Sequence, residues 1–82
     1  MKIDIVETIR VWFEDVYCDI VPSADEPRFY DYWLHRKGYG VSVYMFGGEP
    51  ENKDEAIKMA VRNVPEYIPD LMAACEEGLK ND

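Results

Sequence analysis

Eighty-two residues supply one small domain, spanning 1–82, and no second core. Seventeen Asp and Glu against nine Lys and Arg leave a net charge of −8, which disfavours direct binding to DNA, RNA or anionic lipid because the phosphate contribution is repulsive. No run approaches the ~18 apolar residues of a membrane span, and acids at Asp4 and Glu7 are at odds with a signal peptide, so a cytoplasmic protein is expected.

A helical period leads the chain. Ile5, Val6, Ile9, Trp12, Phe13, Val16 and Ile20 fall within an arc of about 120° at 100° per residue. The opposite arc takes Asp4, Glu7, Thr8, Arg10, Glu14, Asp15 and Asp19, with Val11 and Cys18 as apolar intruders. The spacing predicts a helix over residues 3–21; alternation in Lys2–Val6 offers a short strand as the competing reading. Pro22 ends the element, and Ser23-Ala24-Asp25-Glu26-Pro27 reads as a connector.

Two runs of period two follow, Arg28–His35 and Tyr39–Phe46, and predict a hairpin turning on Lys37-Gly38. That turn sets Leu34 against Val41, Tyr32 against Val43 and Tyr30 against Met45 on an apolar core side. The other side pairs His35 with Gly40, Trp33 with Ser42, Asp31 with Tyr44, and Phe29 with Phe46.

After Gly47-Gly48-Glu49-Pro50, Asn52 reads as an N-cap with Glu55 three positions on. Ile57, Ala60, Val61 and Val64 make a buried stripe, and Pro65 is expected to end or bend the helix. A further helix reaches Leu79 with stripe Ile68, Leu71, Met72, Cys75 and Leu79. The predicted fold class is α+β, ordered α-β-β-α-α, with helices packed on one face of a two-stranded antiparallel hairpin.

Catalytic constellations are scarce. His35 is the only histidine, so a metal site of several imidazoles is excluded within one chain, and no spacing brings it to Cys18 or Cys75. Those cysteines carry no CxxC and read as free thiols in a reducing compartment. Acidic pairs such as Asp54-Glu55 and Glu76-Glu77 read as solvated surface, and Gly47-Gly48 lacks the Lys-Ser/Thr of a phosphate loop. The expectation is no enzyme and no cofactor.

Two surfaces are left for partner binding. One is the outward hairpin side, with Phe29, Asp31, Trp33, His35, Tyr44 and Phe46; seven of the chain's 11 aromatics fall between residues 29 and 46, the composition of an anchoring patch. The bland reading is that a helix or a second copy covers it. The other is an acidic ridge on the first helix, Asp4, Glu7, Glu14, Asp15 and Asp19, able to dock on a basic groove in place of phosphates, or else simply solvated.

Small size, negative charge and the missing catalytic set resemble the general style of phage- or mobile-element-encoded inhibitors, anti-CRISPR proteins among them. The likeness is one of size and charge. It implies a non-enzymatic acidic module that occludes a basic nucleic-acid-handling protein. The alternative is an antitoxin-like or regulatory partner that homodimerises through the hairpin. It rests on a loose resemblance of Asp54-Glu55-Ala56-Ile57-Lys58-Met59-Ala60, after a strand, to the strand-to-helix step of some small antitoxins. A third option is a domain that only forms a homodimer.

Overall fold

The structure, a computed structural model, describes residues 8–26 and 28–80. Four strands, β1 (Ile9–Phe13), β2 (Val16–Pro22), β3 (Tyr30–Arg36) and β4 (Ser42–Gly48), precede one helix, α1 (Lys53–Lys80). The strands form an antiparallel meander in the order β1-β2-β3-β4. The fold is therefore β-β-β-β-α, which corrects the expected two-stranded hairpin with several helices.

The largest correction concerns the predicted first helix, whose described part is the β1–β2 hairpin. Ile9, Val11 and Phe13 alternate on β1 and pair with Ile20, Cys18 and Val16 on β2. The two-residue turn Glu14-Asp15 shifts the phase, so inward residues are odd-numbered before it and even-numbered after it. The spacing 9, 13, 16, 20 that results imitates a helical stripe. Val11 and Cys18 distinguish the two readings: they face each other, and Cys18 is fully buried. Glu14 sits in the left-handed region, with φ 60°, to make the turn. The alternative strand at Lys2–Val6, and helix positions 3–7, lie outside the described residues.

The β3–β4 connection does turn at Lys37-Gly38: the Tyr39 amide donates to the Arg36 carbonyl at 3.1 Å, and Gly38 takes φ 86°. Pairing resumes only at Ser42, however, so the register differs from the predicted one by two residues, with Leu34 opposite Val43 and Trp33 opposite Tyr44. A shift of two preserves the faces. A bulge at Met45 then carries Phe46 opposite Tyr32.

The core is one layer between sheet and helix. Val16, Cys18, Ile20, Tyr32, Leu34 and Met45 from the sheet meet Ala56, Ala60, Val64, Leu71 and Cys75 from α1. The helix begins as expected, with Asn52 Oδ1 accepting from the Glu55 amide at 2.9 Å; the Glu55 carboxylate in turn accepts from the Glu51 amide at 2.6 Å. It does not stop at Pro65. Its 28 residues run through both Pro65 and Pro69, a length of about 42 Å at 1.5 Å per residue. Each proline removes one amide donor, but both lie on the exposed side, where water can serve the carbonyls they leave unpaired. The buried stripe opposite is continuous.

Candidate functional site

The helix covers one face of the sheet. The other face is open: among the described residues no element packs over it. Strand alternation lines it with Arg10 and Trp12 from β1, Tyr17 and Asp19 from β2, Asp31, Trp33 and His35 from β3, and Ser42 and Tyr44 from β4. Trp12 is 50% exposed and Tyr44 47%. An aromatic-rich, solvent-facing sheet surface is uncommon and usually has a use.

The face has two halves. In the first, Asp19 is the chain's buried carboxylate, and Arg10 satisfies it: Nε donates to Oδ1 at 2.7 Å and Nη2 to Oδ2 at 3.0 Å. This hydrogen bond is the leading cause that raises the Arg10 pKa. The Arg10 guanidinium carbon lies 4.1 Å from the centre of the Tyr17 ring, and that ring packs against Trp12 at 4.7 Å and stacks on His35 at 4.9 Å. His35 Nε2 is 3.6 Å from Asp19 Oδ2.

In the second half, Trp33 and Tyr44 meet edge to face, with centroids 5.1 Å apart and planes at 68°. The Tyr44 hydroxyl donates to Asp31 Oδ1 at 3.3 Å. Desolvation raises the pKa of that hydroxyl, and the charge and hydrogen bond of Asp31 add to the rise, so it stays a donor. Phe29 lies over Gly47, the residue opposite Asp31; a Cβ there would run into the Phe29 ring and stand 2.9 Å from the Tyr44 oxygen.

The predicted site residues divide sharply. Phe29, Asp31, Trp33, His35 and Tyr44 share the open face. Phe46 does not: the bulge turns it to the helix side, where it stacks on Tyr32 at 4.3 Å. The described members of the acidic ridge, Glu14, Asp15 and Asp19, do not line up on one helix face, because the described part of that helix is a hairpin. Glu14 and Asp15 occupy a turn, Asp15 pairs with Arg36 at 3.2 Å, and Asp19 is buried against Arg10. Asp4 and Glu7 lie outside the described residues.

Arg10, Trp12 and Tyr17 join the face without having been expected there. Their signal is the alternation of β1 and β2, hidden by the phase change at the turn.

Topology gathers other acids. Asp25 and Glu26 in the β2–β3 loop, Glu49 and Glu51 before α1, and Asp54 and Glu55 in its first turn share one end of the sheet, with a cleft lined by Arg28, Tyr30, Glu49, Pro50 and Glu51. The other end mixes Glu14 and Asp15 with Arg36 and Lys37.

Among the described residues no group of His, Cys, Asp and Glu is placed to hold a metal ion, and no helix is long and apolar enough to cross a membrane. Comparison with protein-family models, curated proteins and solved structures finds no match.

Proposed function

We propose that the chain is a non-enzymatic protein-binding module whose open sheet face docks on a partner with a basic surface. The observation that carries this reading is the aromatic, half-exposed face itself. Large rings on a rigid sheet lose little entropy on binding and supply the anchors of most interfaces. A net charge of −8, with six of the acids gathered at one end of the sheet, supports a cationic partner and opposes polynucleotide.

Occlusion of a basic nucleic-acid-handling protein is the function that fits this charge. In this reading the protein works in the cytoplasm with Cys18 and Cys75 as thiols.

The test is site-specific photocrosslinking in the producing cell, from benzoylphenylalanine at Trp12 on the open face and, separately, at Val61 on the exposed side of α1. One other protein, captured from position 12 and not from 61, should reconstitute with the purified chain into a complex that weakens as salt rises. Equal capture from both positions overturns the reading. So does capture only of a second copy of this chain, which would instead mean a homodimer, or direct binding of DNA or RNA at physiological ionic strength.

A further inference from the structure

The first half of the open face shows how this surface holds a guanidinium. A carboxylate (Asp19) takes it in two hydrogen bonds of 2.7 and 3.0 Å, and a tyrosine ring (Tyr17) lies under it at 4.1 Å, backed by a tryptophan (Trp12) at 4.7 Å. The second half repeats the components: a carboxylate (Asp31), a tyrosine ring (Tyr44) and a tryptophan (Trp33). Among the described residues no cationic side chain is paired with this carboxylate. Among the described residues, the side chain bonded to Asp31 is the Tyr44 hydroxyl, at 3.3 Å through one oxygen.

We propose that Asp31, Trp33 and Tyr44 form a docking site for an arginine side chain of the basic partner. The inference rests on the binding-module reading and names the chemistry of its contact. The edge-to-face rings present two aromatic surfaces at a steep angle, so a planar cation can lie on one and meet the edge of the other. Asp31 supplies acceptor positions at the rim of the same corner. With no side chain on Gly47, the Phe29 ring lies over the β4 side of that rim and forms its wall. A planar, weakly hydrated fork suits a carboxylate beside a ring better than a compact ammonium does, which selects arginine over lysine.

The experiment is an NMR titration of the full chain with N-acetylargininamide, N-acetyllysinamide and the uncharged isostere N-acetylcitrullinamide, each to tens of millimolar. The arginine compound should shift the Trp33 indole and Tyr44 ring resonances, the lysine compound less, and the citrulline compound not at all. Asp31→Asn should weaken the arginine response roughly tenfold, the scale of a lost charge-assisted hydrogen bond, while Asp15→Asn leaves it unchanged. Tyr44→Leu removes the ring, keeps the carboxylate, and should also abolish the response at Trp33, so the outcome does not depend on one variant folding.

Equal responses to arginine and lysine overturn the arginine assignment. Shifts confined to residues around Glu49 and Glu51, and indifferent to Asp31→Asn, overturn the site. A silent Trp33 together with a partner captured from position 12 removes the arginine site and leaves the binding module standing. A responsive Trp33 with no partner captured overturns the module and with it the assignment to a partner side chain.

Discussion

The two faces of the sheet are built from the same strands and obey different rules. On the helix side, Cys18, Ile20, Tyr32 and Leu34 are fully buried, and what counts is removal of apolar surface from water. One residue along, on the open side, Asp19, Trp33 and His35 are held by directional contacts: a two-pronged ion pair, a stack and an edge-to-face pair. The first face makes the fold. The second is ordered by it and stays open, as the proposed binding requires. Substitutions should therefore divide into those that cost stability and those that cost binding.

The largest stability effect is expected on the covered side. Leu34→Ala should lower the free energy of unfolding by about 2–5 kcal/mol, as for other fully buried leucines, read from the urea midpoint at unchanged slope. A destabilisation no larger than that of Trp33→Ala would erase the distinction between the faces.

Alkaline pH should weaken the same layer. Burial pushes the Cys18 thiol up to about 12, from 9.0, and the Tyr32 hydroxyl up to about 12, from 10.0. Below about pH 9 both groups are protonated whether the chain is folded or not, and their contribution is intact. Between about 9 and 12 the unfolded chain releases protons that the folded chain keeps, so stability should fall as pH rises through that window. Thermal melts across it should show the fall, and Cys18→Ala should flatten it.

Trp33→Ala should cost only about 1 kcal/mol, the centre of the range for substitutions generally, and should leave the circular dichroism of the fold unchanged while abolishing the response to arginine. Unfolding of this variant would make Trp33 part of the core. The smallest effect is a gain. Glu14→Gly relieves a left-handed residue at φ 60° and should raise stability by about 0.5–1 kcal/mol, visible as a higher melting temperature without any change on the open face.

How far these features could be read from the amino-acid order depends on where the period is interrupted. Alternation through Tyr30–Arg36 and Ser42–Tyr44 identifies strands because nothing breaks it. Asn52 and Glu55 announce the start of α1 through the hydrogen bonds they make. In residues 9–20, two strands of opposite phase around a two-residue turn add up to a helical spacing, and only Val11, Cys18 and the exposed Trp12 betray it. Pro65 misleads for a different reason: a proline excludes a helix locally, but the apolar stripe through Val64, Leu71 and Cys75 holds the helix to the sheet on the side away from it. Five residues of the candidate surface were legible because a two-residue register error leaves faces unchanged. Phe46 was not, because a bulge changes parity.

That extra residue reaches beyond the layer in which it is buried. With strict alternation from Tyr44 onward, Met45 would oppose Tyr32 and Phe46 would stand opposite Asp31, in the space the Phe29 ring fills. Inserting Met45 advances β4 by one place, so that Gly47 takes the position and Phe46 is spent on the hydrophobic interior. One residue thus ties interior packing to the arrangement of the far side: a designer who straightened β4 to regularise the core would rebuild the open face as well.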